Sequence, residues 1–356
     1  MSSVTPSLRL SVLDQSPVSQ GSTPAQALAN TLDLARLADR LGFHRYWLAE
    51  HHGGPMLAGP SPEALIGPIA SATERIRVGS GGVMLPHYSP LKVAETFSVL
   101  SALFPDRIDL GIGRAAGTDP LTTFALQRDR RQAAPDDFPQ QLAELLGYLD
   151  GTLPADHPFA RLAQTLPGRP QRPEPWLLGS SPQSALWAAE LGLPYAFADF
   201  INPNGAEIAA LYRERFAAHE HAHDPQTAVG VWVICADSDE EARRLAASGR
   251  MTFTLLRRGE LIAVPPPEEA LRFLAADERS GAGRQARRRA IVGSPQSVRG
   301  ELEQVVADYG AEEAIVVCIT FEHEARRHSY ELLADVFGLD AGAAALPAPA
   351  GEALPA

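Results

Sequence analysis

Two hydrophobic periods alternate along the chain. Residues 9–13 (Arg-Leu-Ser-Val-Leu) place apolar side chains at strand spacing and run into Asp14-Gln15-Ser16-Pro17, a turn composition. After a Ser/Gly/Gln loop, Thr23-Pro24 supplies a cap and a first-turn proline. Leu28, Leu32, Leu34, Ala35, Ala38 and Leu41 then keep helical spacing until Gly42. The same succession recurs. Strands are predicted at 43–49, 76–80, 107–112, 176–179, 195–200, 229–236 and 313–320. Helices are predicted from Ser61-Pro62, from Ser89-Pro90, at 136–149, at 183–191, at 205–220, from Ser238, at 294–309 and at 325–337.

Eight strands, each followed by a helix or by an insertion and then a helix, predict an α/β chain folded as one (β/α)8 TIM barrel over residues 1–339. Right-handed crossovers force parallel strands, and eight tilted parallel strands close on themselves. An open doubly wound sheet would want Gly-x-Gly-x-x-Gly after its first strand, and Gly21 stands isolated there. Stretches near 115–135, 154–175 and 257–292 fit no regular element and are expected to be insertions; the last contains Pro265-Pro266-Pro267 and a basic cluster, Arg284 to Arg289. The Ala/Pro/Gly tail, 340–356, has little to bury and is expected to be disordered.

Charge and cysteine content narrow the function classes. A net charge of −12 provides no basic field for a phosphate backbone, so no nucleic-acid partner is expected. Cys235 and Cys318 each lie in an apolar run, which suits buried free thiols in a reducing cytoplasm better than a disulfide or a metal pair. The first residues lack a charged leader followed by an apolar core, and no run reaches the ~20 apolar residues of a membrane span, so a soluble cytoplasmic protein is expected. Gly67, Ala70, Ser71 and Ala72 could admit another helix closely, as in a homodimer, or pack on the barrel itself.

In such a barrel the chemistry gathers at the C-terminal strand ends. These read Asp14-Gln15, Glu50-His51-His52, Ser80-Gly81-Gly82, Gly113-Arg114, Gly179-Ser180-Ser181, Asp199-Phe200, Cys235 and Thr320-Phe321. The apolar run Tyr46-Trp47-Leu48-Ala49 breaks into a carboxylate and two imidazoles, as a strand does where it opens into a site. His51-His52 lacks helical ligand spacing and no Cys/His cluster accompanies it, so no metal is expected. Gly81-Gly82 offers bare backbone to a flat ring, or simply a turn. Ser181-Pro182-Gln183-Ser184 caps a helix and could seat a phosphate there, and Arg114 could complete that seat or form an ordinary rim salt bridge.

Four spaced segments carry a family resemblance: residues 46–52, residues 78–86, Arg107-Ile108-Asp109-Leu110-Gly111-Ile112-Gly113-Arg114, and 177–181 with 187–194. Together they resemble the bacterial luciferase-like flavin monooxygenases, nearest their single-chain oxidoreductase group, from Leu8 to Leu339. The resemblance implies FMN taken up reduced from a separate NAD(P)H:flavin reductase, O2 as co-substrate, and oxygenation of a small organic substrate. It implies His51 as the catalytic histidine beside the flavin ring. Glu50, Ser80, Gly81, Gly82, Arg114, Gly179, Ser180, Ser181 and Ser184 would contact the cofactor, with a cis peptide at Gly81-Gly82. Asp199 and Phe200 would form a substrate wall. Two positions depart from the pattern: Gly113 stands where luciferases carry a cysteine, and Phe138 where a second phosphate arginine is expected, leaving Arg128, Arg130 or Arg131 to substitute. A deazaflavin-dependent hydride transfer and flavin binding without turnover are the alternatives. The substrate itself is not legible.

Overall fold

The computed structural model describes residues 8–114, 119–127, 129–132, 136–217, 224–279 and 290–340. Its strands are β1 (Arg9–Asp14), β2 (Arg45–Leu48), β3 (Arg77–Met84), β4 (Ile108–Gly113), β5 (Glu174–Gly179), β6 (Tyr195–Ala198), β7 (Thr227–Cys235), β8 (Ile291–Gly293) and β9 (Glu313–Val317). Every strand pairing among the described residues is parallel. Neighbours run β1 to β7 in order, then β9, which returns to β1. Eight strands therefore close a (β/α)8 barrel, as the alternation predicts. β8 is an addition outside the ring: it pairs with the last residues of β7, Val233 to Cys235, beyond the part of β7 that pairs with β9.

The period-2 pattern sorts side chains into two apolar layers. Leu10, Val12, Tyr46 and Leu48 point outward under the helices, whereas Leu13, Trp47, Trp176, Trp232, Ile315 and Val317 fill the barrel. Helix signals hold locally. Thr23 Oγ1 accepts the Gln26 N–H at the start of Pro24–Leu41, and Gly42 ends that helix in the left-handed region at φ 86°.

The 257–292 stretch is more regular than expected. It contains the helix Pro267–Arg279, whose Ala270, Phe273 and Leu274 pack against Ala247, Met251 and Leu255 of the helix Asp239–Leu256. The proline triplet reads as a breaker, yet Pro267 occupies the helix's first position, where a missing N–H costs nothing. Among the described residues, the other two insertions hold a short helix each, Pro120–Leu126 and Ala160–Ala163. Arg284 to Arg289 and the tail beyond Asp340 lie outside the described residues.

Two buried ion clusters hold the barrel at opposite poles. At the N-terminal mouth, Arg45 donates to both oxygens of Glu313 at 3.1 Å, to Asp109 at 2.9 Å and to Glu174 at 3.5 Å, with its guanidinium 4.5 Å from the Trp176 ring centre. Trp47 Nε1 donates to the same Asp109 at 2.8 Å. At the C-terminal end of β1, Asp14 accepts from Arg326 at 2.6 Å, Tyr46 at 2.5 Å and the Ser16 N–H at 2.7 Å. Burial alone would raise the Asp14 carboxyl; the Arg326 charge and these bonds carry it below its ordinary range. Asp14, although at a strand end, is thus committed to tying β1 to the closing helix His323–Phe337.

Candidate active site

β2 ends where its apolar residues stop, and the next three side chains meet different fates. Glu50 is fully buried. Its Oε1 accepts from His52 Nε2 at 2.8 Å and its Oε2 from the Met84 N–H at 2.9 Å, and Tyr88 also donates to it. A carboxylate with three donors has little capacity left for a ligand, so Glu50 acts here as a clamp between the end of β2, the last residue of β3 and Tyr88 beyond it. His51 is held through its backbone N–H, which donates to Gly59 O at 3.2 Å, while its Nδ1 is buried without a hydrogen-bond partner. Burial, and secondarily the neighbouring His52, push the His51 imidazole down to about 4, so it is neutral at physiological pH.

Across from this rim, β3 loses register with β4 between Ser80 and Val83. The Gly81–Gly82 peptide in that gap is cis, in keeping with the resemblance. Neither glycine has room for a side chain: a Cβ on Gly81 would lie 2.6 Å from Leu13 and 2.9 Å from Trp47, and one on Gly82 would lie 2.8 Å from Gly111 O. Bare backbone is a packing requirement here. Ser80 is buried and donates to Gly111 O at 2.8 Å, so its hydroxyl serves the β3–β4 junction.

The serine-tipped helix follows β5 as expected, Pro182–Glu190, with Ser181 and Ser184 forming a reciprocal capping box. Ser181 is exposed at the tip, and Ser180 is half-buried with its carbonyl taken by Asn202 at 3.1 Å. Ser184 is buried, its Oγ 2.8 Å from Ser181 O and 2.9 Å from Tyr195 Oη. It fills the space a side chain on Gly179 would need, which accounts for the glycine. Arg114 lies beside this helix, 5.5 Å above the Trp187 ring and 3.2 Å from both Asp136 oxygens, with half its side chain exposed. Phe138 is buried beside Trp187, with ring centres 5.3 Å apart. Arg130 donates to Ala125 O and Arg131 pairs with Asp129, both locally; Arg128 lies outside the described residues.

The pair after β6 separates. Phe200 turns into the barrel, 6.1 Å from Trp232, which in turn packs 4.8 Å from Phe253. Asp199 instead is buried on the outer side, accepting from Tyr309 at 2.7 Å. The structure therefore brings His51, Gly81, Gly82, Ser181, Arg114 and Phe200 to one pole. It commits Glu50, Ser80, Ser184 and Asp199 to holding that pole together. Sequence reasoning missed Trp232, Phe253 and Tyr88; their contacts come from elements distant in the chain, and no local spacing announces them. Among the described residues no group of His, Cys, Asp or Glu could hold a metal ion.

Comparison with known proteins bears on this geometry. The model of the luciferase-like monooxygenase family matches residues 8–313. The chain belongs to this family. A luciferase-like monooxygenase of Escherichia coli K12 is 41% identical over 331 residues, covering 92% of this chain and 97% of the relative. The N-acetyl-S-alkylcysteine monooxygenase of Bacillus subtilis is 36% identical over 329 residues, 92% of this chain and 98% of the relative. Among solved structures, that of apo-MsnO8 superimposes with a TM-score of 0.85 at 42% identity, covering 94% and 99% of the two chains. The oxygenating constituent of 3,6-diketocamphane monooxygenase from Pseudomonas putida, in complex with FMN, shares the fold at a TM-score of 0.68 and 21% identity, covering 93% and 97%. No described helix of this family member is long and apolar enough to cross a membrane.

Proposed function

We propose that this family member binds FMN, received reduced from a separate NAD(P)H:flavin reductase, and uses O2 to oxygenate a small, largely apolar organic substrate. The observation that carries this reading is His51, buried with an Nδ1 that lacks a hydrogen-bond partner, at the same pole as the Gly81–Gly82 backbone, which carries no side chain. A flat ring laid on two glycines would meet no side chain there. FMN, when bound, supplies the two-electron chemistry that activates oxygen. The residues of the chain bind, orient and exclude water. Ser181 at the helix tip would donate to the terminal phosphate, where the helix dipole also favours an anion, and Arg114 would supply the opposing charge from its platform on Trp187. Ser184 would support Ser181 from beneath. Neutral His51 would accept a proton beside the ring, and Phe200, Trp232 and Phe253 would form the dry wall against which the substrate lies.

The test is relative affinity for FMN and riboflavin, read from quenching of flavin fluorescence. The two ligands differ only in the phosphate, and charge-assisted hydrogen bonds of about 1.5–3 kcal/mol predict FMN tighter by roughly 10- to 100-fold. Ser181→Ala and Arg114→Ala should each narrow that ratio. Equal affinities would remove the phosphate assignment. A substrate reduced without oxygen by a deazaflavin would select the hydride-transfer alternative.

A cytoplasmic homodimer completes the proposal. Two buried thiols, pushed up by burial to about 12 at Cys235 and about 11 at Cys318, suit a reducing compartment. Gly67 packs toward Leu100 of the barrel's own neighbouring helix Pro90–Leu103, but Ala64, Pro68 and Ser71 stay exposed, as do Val99 and Leu103 of that neighbour. Sedimentation should therefore show about twice the 38.1 kDa chain mass, and a monomer at micromolar concentration would dismiss the dimer.

A further inference from the structure

Three tryptophans fill the barrel, and their indole N–H groups are treated differently. Trp47 Nε1 donates to Asp109 at 2.8 Å and Trp176 Nε1 to Glu174 at 2.9 Å, both at the N-terminal mouth. Trp232 Nε1 is buried and has no hydrogen-bond partner. An indole nitrogen can only donate, so an acceptor has to be brought to it. Buried donors are ordinarily paired, because an unpaired one forfeits its bond to water and gains nothing in return. Phenylalanine would pack in the same apolar surroundings without that cost. The surroundings of Trp232 also indicate which acceptor fits. It lies in the later half of β7, level with Val317, the last residue of β9, and so toward the pole that carries His51. Its ring packs 6.1 Å from that of Phe200 and 4.8 Å from that of Phe253. Phe200 in turn lies on the bare backbone of Gly230, two positions before Trp232 on the same face of β7, where a Cβ would sit 2.8 Å from the Phe200 ring. Met56, Val264, Ile319 and Phe321 belong to the same inner cluster. Hydrocarbon thus flanks the one orphaned donor. A carboxylate placed there would exchange its hydration for a single neutral N–H, whereas an uncharged oxygen has far less hydration to lose.

We propose that Trp232 is a specificity-determining residue, its Nε1–H donating to an uncharged oxygen acceptor of the carbonyl type on an otherwise apolar substrate. The assignment rests on the FMN reading above, in which Phe200, Trp232 and Phe253 form the substrate wall. It narrows the substrate class from an apolar molecule to an apolar body carrying a carbonyl-like oxygen, and it sets which end of that molecule faces β7. A hydrocarbon of the same shape would fill the wall and leave the indole unpaired. Discrimination then comes from the penalty on the analogue that lacks the acceptor, which is larger than a hydrophobic wall alone provides.

The experiment follows the indole N–H resonances of the isotope-labelled protein by NMR, with cyclohexanone and cyclohexane as probes of matched shape. The chain has 4 tryptophans, and Trp232→Phe identifies the Trp232 resonance by removing it. Millimolar cyclohexanone should move that indole proton downfield, as formation of a hydrogen bond does, and cyclohexane should not. The resonances of Trp47 and Trp176, whose N–H groups are already bonded, should stay in place with either probe. In Trp232→Phe, where the unmoved remaining resonances report an intact fold, cyclohexanone should bind about 3- to 10-fold more weakly, the return of one neutral hydrogen bond. Cyclohexane binding, read by saturation transfer to the probe, and FMN affinity should be unchanged. A Trp232 resonance that responds alike to both probes, or to neither, overturns the proposal. So does a downfield shift produced by FMN alone that cyclohexanone no longer alters, which would give the N–H to the flavin. The probes are titrated first without flavin, so their failure is separate from a failure of FMN to bind, which the FMN and riboflavin affinities report.

Discussion

Arg45→Met should remove about 3–5 kcal/mol of stability at pH 7, the usual cost of leaving buried charges without their partner. Domains of this kind are stable by only about 5–15 kcal/mol, so the loss is a large share of the total. Arg45 is 2% exposed, and Asp109 and Glu313 are wholly buried around it. Burial would raise both carboxyls. The Arg45 charge, with Arg77 at Asp109 and His44 at Glu313, carries them below their ordinary values of 3.8 and 4.5. A carboxyl depressed in the folded state contributes stability that is present above its unfolded value and is lost as pH falls through the folded one. Without Arg45 both carboxyls lose their principal cation and rise. The deficit of the variant against wild type should therefore be greatest at neutral pH and shrink as pH falls toward 4. Urea unfolding midpoints at pH 7 and pH 5 measure this, and a loss below about 1 kcal/mol at pH 7 would show that the cluster does not hold the barrel mouth. Methionine keeps roughly the length and apolar character of the arginine stem, which isolates the guanidinium, charge and ring contact together, as the cause.

The second large effect is expected at the other pole. His51→Ala should lower turnover by about 10²- to 10⁴-fold, the range over which a positioned acid–base group contributes. FMN affinity should stay within about threefold, because no phosphate contact is assigned to this residue. Turnover and flavin binding are read on the same preparation, with oxygen consumption and product measured together. Collapse of FMN binding with unchanged coupling between oxygen used and product formed would make His51 a cofactor ligand and nothing more. The structure makes the contrast sharp. The His51 ring is neutral and unbonded at Nδ1, whereas His52, one residue on, is tied to Glu50.

The barrel was legible because its signals are local. Ser/Thr-Pro at helix starts, as at Thr23-Pro24, Ser61-Pro62 and Ser89-Pro90, sets φ and spares an N–H within two residues. Strand and helix periods need windows of only 5–15 residues. Strand ends therefore fell where apolar runs broke into polar residues, and the rim composition followed: Glu50-His51-His52 after β2, Gly81-Gly82 within β3, Ser181 after β5. β8 escaped because three residues carry no period, and the helix Pro267–Arg279 because its leading proline triplet looks like an interruption.

What each rim side chain does could not be settled in the same way. Ser80 turns to Gly111 across 31 positions, Asp199 to Tyr309 across 110, and Asp14 to Arg326 across 312. Each is a polar group that burial obliges to find a partner, and closure of the ring decides which one lies within 3 Å. A strand-end serine or aspartate looks the same in the chain whether it faces a ligand or a neighbouring strand. Local chemistry thus determined the order of the elements and which residues reach the rim. Only the closed barrel decided which of them remain free to meet a ligand, because hydrogen-bond partners are chosen by distance in space and the chain records distance along itself.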